Sequence, residues 1–364
     1  MRRILLFHLS GLNDQQSINM HHLKKKFVWA NDLRALATVS VIILHVSSEI
    51  VNKYGDVPQS EWWIGNVFDS LVRFCVPVFL MLTGALILPK TYKLGEFFKK
   101  RITRILLPFL FWSLIYIAYK IYLKREHGIE MDFWQTYSYM VYQLKTGASY
   151  HLWYVYMLIG IYLIIPLVSK WIVNSSGKEI FYYIIVWICV LLFNLPGINP
   201  SVPNIDFTYF SGYLGYPILG YLLAYKIEGK RVKTMGLLLF IIGVIITMIG
   251  TYLSSENDGN FNGYFYTYLS PNVIITSSGI FVFIKHYYLP LGKFRLVTNL
   301  IGKYSFGIYL SHVFILTQLS DAGFTASFIN PLIGIPCVTI VCLLASFIVT
   351  FLLSKIPLVK HVSG

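Results

Sequence analysis

Charge is what this 364-residue sequence has least of: only 13% of its residues are Asp, Glu, Lys or Arg, and just 16 are acidic. With 56% hydrophobic residues and a mean hydropathy of +0.63, a water-soluble globular domain is excluded. Cysteine is scarce too. Cys75, Cys189, Cys337 and Cys342 all fall inside apolar runs, at spacings that suit neither a disulfide framework nor a metal site. There is no Walker loop, no dinucleotide fingerprint after a strand, no G-x-S-x-G elbow and no H-E-x-x-H. Carboxylates within the apolar runs are few: Asp32 at a boundary, Glu49 near the far end of the first run, and Asp69 inside the second. Ion-coupled carriers commonly depend on such groups, so their shortage weighs against transport.

What is present is apolar length. Runs long enough to cross a hydrocarbon core about 30 Å thick recur from end to end. They predict an all-α, polytopic membrane protein with about ten transmembrane helices. The expected spans are 31–51, 63–88, 98–122, 151–172, 179–195, 208–226, 233–254, 265–286, 300–319 and 331–355. Between the third and fourth, the segment 127–149 carries Trp134, Tyr137, Val141 and Leu144 at helical spacing, which suits an amphipathic helix lying at the interface.

Basic residues set an expected orientation. Of the 30, Lys53, Lys120, Lys124, Arg125 and Lys145 fall on one side and Arg73 falls within a span; all the others fall on the side of the N-terminus. That bias places both termini in the cytoplasm, which an even number of spans requires. The net charge of +14 then reflects topology and grip on membrane lipid, and no nucleic-acid partner is expected. Residues 1–30 read as a cytoplasmic segment in which Met20 is a candidate natural start, 31–355 as one transmembrane domain, and 356–364 as a cytoplasmic tail.

The first span, beginning N-D-L-R-A-L-A, holds Arg34 near its start and His45 eleven positions on. Eleven positions are close to three helical turns, so both lie on one face, roughly 16 Å apart along the axis. Each alone has a bland reading, an arginine as topology and a histidine as a helix-packing hydrogen bond; aligned together they favour function. Arg101 and Arg104, three apart at the start of the third span, share a face on which two guanidinium groups suit phosphate. Anchoring to anionic lipid heads is an equal reading of that pair. His151 and Trp153 open the fourth span, where aromatics are interfacial by default but also suit a sugar ring. Arg73 lies well inside a span, as a buried ion pair or a functional cation, and His312 is a similarly ambiguous intramembrane group.

In these residues the sequence resembles the acyltransferase-3 family of integral membrane acyltransferases. Arg34 and His45 match that family's arginine, ten residues, histidine motif, and Arg101-Ile-Thr-Arg104 matches its R-x-x-R motif. Further similarity lies in 76–86, 151–154, 210–224 and 304–312, and within the family it looks closest to the enterobacterial common antigen O-acetyltransferase group. The stretch 79–85, F-L-M-L-T-G-A, departs from the F-F-x-x-S-G-[YF] of many relatives.

The resemblance implies acetyl-coenzyme A as donor substrate, no metal, a surface or lipid-linked glycan as acceptor, and a bacterial inner-membrane setting. It implies donor phosphates on Arg34, Arg101 and Arg104, and His45 as general base or as the carrier of an acetyl-histidine intermediate. His151 and Trp153 would hold the acceptor, and Arg73 is a candidate to bind substrate or steady the oxyanion. Other readings are a glycan or small-solute exporter lined by His45 and Arg73, an acyltransferase with another donor such as succinyl-coenzyme A, and a non-catalytic scaffold.

Overall fold

A chain that places its backbone in hydrocarbon must close its own hydrogen bonds, and this one does so with helices. The computed structural model describes residues 28–193, 212–287, 294–357 and 359. The candidate start at Met20, most of the expected 1–30 and 356–364 segments, and the junction at 194–211 of the expected spans 179–195 and 208–226 lie outside the described residues.

Among the described residues there are twelve α-helices, two 3-10 turns and no strand. In chain order they are α1 (Val28–Val51), α2 (Gln59–Val72), α3 (Cys75–Ile87), α4 (Leu94–Glu126), α5 (Phe133–Thr146) and α6 (Trp153–Asn174). Then come α7 (Gly177–Phe193), α8 (Gly215–Tyr225), α9 (Val232–Asp258), α10 (Pro271–His286), α11 (Phe294–Asp321) and α12 (Pro331–Lys355). Eight stretches are long and apolar enough to cross a membrane, with α2 and α3 joined at Arg73 and Phe74 as one of them. They coincide with eight of the ten expected spans to within a few residues. The other two correspond to α7 and α8, whose described lengths of 17 and 11 residues are short for a full crossing.

Local chemistry starts and stops these helices. Pro331 and Pro271 occupy first-turn positions that lack a hydrogen-bonded N–H anyway, and the Asn330 side chain caps α12 by accepting from Leu332 N. Gly259, at φ 67°, closes α9 in the left-handed conformation.

Helix α1 is the axis of the bundle, packing against α2, α3, α10, α11 and α12. Its neighbour α11 runs parallel to it. Arg295 donates to both carboxylate oxygens of Asp32 at 2.6 Å near the start of each helix, and Gly302 lets Asn31 approach so closely that a Cβ there would meet Asn31 Oδ1 at 2.3 Å. Small residues also bring α3 and α8 together: a Cβ at Gly84 would meet the Pro217 carbonyl, and one at Gly220 the Met81 carbonyl. Close approach of this kind is the main source of helix association where lipid is as apolar as the side chains. Polar ties add to it. Asn66 donates to the Met248 carbonyl at 3.0 Å and accepts from Tyr266 at 2.6 Å, bonds worth only about 0.6 kcal/mol each in such bundles.

Candidate active site

Three histidines from three separate parts of the chain meet in the middle of the bundle. His45 comes from α1, His151 from the 3-10 turn Tyr150–Leu152, and His312 from α11. The His312 ring lies 5.2 Å from that of His45 and 5.1 Å from that of His151, centroid to centroid. His312 and His151 are fully buried, while His45 is half-buried.

Each ring is held by a different device. His312 Nδ1 lies 2.5 Å from the Tyr309 carbonyl, a group that can only accept. The proton therefore sits on Nδ1, and Nε2 carries a lone pair; it is buried with no hydrogen-bond partner. The Tyr116 hydroxyl donates to the Leu310 carbonyl and accepts from Phe314 N, both at 2.9 Å. Those two groups pair with each other in an unbroken helix, so a side chain is inserted into the α11 ladder beside His312. His151 Nδ1 faces Ser149 Oγ at 3.1 Å, and its carbonyl accepts from the Tyr309 hydroxyl. His45 Nδ1 is 3.4 Å from the Tyr150 hydroxyl, with the two rings edge to face.

The turn carrying Tyr150 and His151 is set by α5, the expected amphipathic helix. Asp132 and Gln135 form a capping box at its start. Lys120 of α4 donates to Gln143 at 2.9 Å, and Tyr156 of α6 donates to the Leu144 carbonyl at 2.5 Å. Gly147, at φ 105°, then turns the chain into the site, a conformation that an L side chain rarely adopts.

Clefts approach this layer from both ends. At the end where α1 begins, a cleft of about 350 Å³ is walled by Leu82, Leu86, Ile87 and Leu158, floored by Tyr154 and Tyr309, and bordered by Arg34 and Arg101. Arg34 makes no ion pair among the described residues and has the phenols of Tyr154 and Tyr162 as neighbours. Arg101 also lines an adjoining cavity of about 650 Å³ with Lys90, Lys93 and Lys100. There Tyr92 donates to the Ile87 carbonyl at 2.9 Å, and burial pushes its phenol up while Arg101 beside it pulls it down. At the other end a cleft of about 480 Å³ reaches His45 and Tyr150. Tyr309 and His45 thus face opposite clefts, with His312 and His151 between them.

The structure divides the residues singled out in the sequence. Arg34 and Arg101 share one cleft, and His45 opens on the other. Arg104, one turn beyond Arg101, is exposed and lines neither. His151 is buried in the central layer rather than in a cleft wall, and Trp153 stacks on Tyr268 at 5.8 Å, outside both clefts. Arg73 is occupied elsewhere: it bonds Asp69 in a buried pair four residues apart, donates to the Tyr266 carbonyl at 3.3 Å, and lies 3.9 Å over the Tyr266 ring. Removing one partner of such a pair costs about 3–5 kcal/mol, which makes it a fastening of the α2–α3 junction. Tyr150 and Tyr162 were not distinguished by sequence among 27 tyrosines, and Tyr154 and Tyr309 stood out only as members of longer stretches. Among the described residues no group of three His, Cys, Asp or Glu side chains is placed to hold a metal ion.

Buried imidazoles lie between a basic cleft and a polar one, within a bundle of membrane-crossing helices. The chain belongs to the Acyl_transf_3 family of acyltransferase domains, whose model matches residues 27–351. It is therefore a membrane acyltransferase. No curated protein and no solved structure matches it.

Proposed function

We propose that the protein moves an acetyl group from cytoplasmic acetyl-coenzyme A to a hydroxyl of a surface or lipid-linked glycan, in the bacterial inner membrane with both termini in the cytoplasm. The observation that carries this reading is the first cleft: Arg34, without a carboxylate partner among the described residues, borders a slot with apolar walls whose floor, Tyr309, backs onto the histidines. A thioester on an extended apolar arm with an anionic head fits that chemistry. The arm lies in the slot, and the phosphates meet Arg34, Arg101 and the lysines of the adjoining cavity, with Arg104 adding charge at the entrance. Within the family, the enterobacterial common antigen O-acetyltransferase group is the proposed relation.

For the reaction the thioester end of the arm passes Tyr309 into the histidine layer, and the acceptor hydroxyl approaches His45 from the far cleft. His45 takes its proton as the oxygen attacks the thioester carbonyl, the new C–O bond forms, the C–S bond breaks, and the proton returns to the departing thiolate sulfur. A neutral imidazole can take a proton in the first half of that exchange and return it in the second. His312, its tautomer fixed by the Tyr309 carbonyl, presents a second lone pair to the same layer, and His151 and Trp153 shape the acceptor side.

The test is transfer of label from acetyl-labelled acetyl-coenzyme A to base-labile ester in glycan, using membrane vesicles. Wild type is expected to transfer and a folded His45→Ala variant to lose transfer. Equal labelling in the two removes His45 as the base, and labelling with succinyl- but not acetyl-coenzyme A changes the donor.

A further inference from the structure

The far cleft is lined by His45, Glu49, Asn52, Tyr150, Thr317 and Asp321 among others, and by no lysine or arginine among the described residues. We propose that it is the acceptor site and that it takes a hydroxyl-rich ligand without negative charge, a neutral or amino sugar, held by Glu49, Asp321 and Tyr150. This rests on the acyl-transfer reading for its role but not for its chemistry.

Two carboxylates, Glu49 and Asp321, line this one cavity in a chain that has only 16 acidic residues. Neither forms an ion pair among the described residues. Glu49 Oε2 accepts only a long bond from Ala326 N at 3.3 Å, and Asp321 Oδ2 accepts from the Tyr119 hydroxyl at 2.9 Å. Each therefore keeps an oxygen free to accept, and ionised carboxylates are the side chains that best take two neighbouring hydroxyls at once. Lys53, one turn beyond Glu49, is exposed and does not line the cleft.

The placement matches the reacting group. Glu49 is four residues after His45 on α1, so the carboxylate and the imidazole stand one above the other on the same helix face. Of the three histidines His45 alone lines this cleft. Tyr150, an exposed residue whose ring lies 5.2 Å from the His45 ring, offers an aromatic face for the apolar side of a pyranose. An acceptor bearing a carboxylate or phosphate beside the reacting hydroxyl meets two like charges and no cation among the described residues that line the cleft, an arrangement that rejects it.

The experiment uses the full chain in lipid nanodiscs, with binding of methyl glucoside, glucosamine, glucuronate and glucose 1-phosphate read by saturation-transfer NMR. The neutral and amino sugars are expected to bind at least about tenfold tighter than the two anions, and Glu49→Gln with Asp321→Asn to narrow that gap to roughly threefold. Anions that bind as tightly as methyl glucoside, a gap unchanged in the double variant, or no binding by any probe at tens of millimolar overturns the assignment. The readout needs no acyl transfer. Selective binding without passage of label from acetyl-coenzyme A leaves the cleft assigned and removes the acetyltransferase reading instead.

Discussion

Arg34, near the start of α1, and Arg73, at the joint between α2 and α3, are both packed among helices, and their surroundings give them opposite work. Arg73 is satisfied within the protein by Asp69 and Tyr266; Arg34 has no carboxylate among the described residues and faces a cleft. If Arg34 holds a donor phosphate, Arg34→Ala removes a charge-assisted hydrogen bond worth about 1.5–3 kcal/mol, and the donor KM rises roughly 10- to 150-fold. Arg34→Lys recovers only part of this because the planar fork is lost. Initial rates over a range of acetyl-coenzyme A concentrations check it, and an unchanged KM in Arg34→Ala takes this residue out of the donor site. The Arg34–His45 pairing was legible in the sequence because helical spacing alone aligns it. The Asp69–Arg73 pair, four residues apart, has the same kind of alignment on one helix face. The roles of Tyr309 and Tyr150 were not legible, since their neighbours are supplied by remote helices and nothing local separates them from other aromatics.

Among the elements, α5 and the turn that follows carry no proposed reacting group yet decide where Tyr150 and His151 stand. Gly147→Ala forces an L residue to φ near 105°, a strain of about 1–3 kcal/mol. The expected result is a lower melting temperature together with a fall in transfer, while donor KM stays put because the first cleft is built from α1, α3, α4, α6 and α11. Loss of donor affinity in that variant would show the two clefts to be less independent than their linings indicate. Hydropathy located the membrane-crossing helices to within a few residues, because twenty apolar residues in a row leave few alternatives. It missed the joint between α2 and α3, whose two halves merge into one apolar run, and it gave no sign that α1 and α11 would run side by side. That juxtaposition depends on Asp32 meeting Arg295, 263 residues away.

For the molecule as a whole, the clefts from the two ends stop on either side of the same few rings. In a bilayer those rings are an insulator. Solution entering both clefts carries each face's potential up to the Tyr309–His312–His151 layer, so most of the membrane voltage falls across it, at about 2.3 kcal/mol per elementary charge for each 100 mV. The packing that positions the imidazoles is then also what keeps the cell from short-circuiting through its own enzyme. Proteoliposomes of wild type are expected to hold an imposed pH gradient and those of Tyr309→Ala to dissipate it, as followed with an entrapped pH-sensitive dye; equally tight vesicles would place the seal in other residues. If His45 is the base, the proton it hands to the departing thiolate moves within that steep field, so the rate of acyl transfer itself becomes sensitive to the energisation of the membrane.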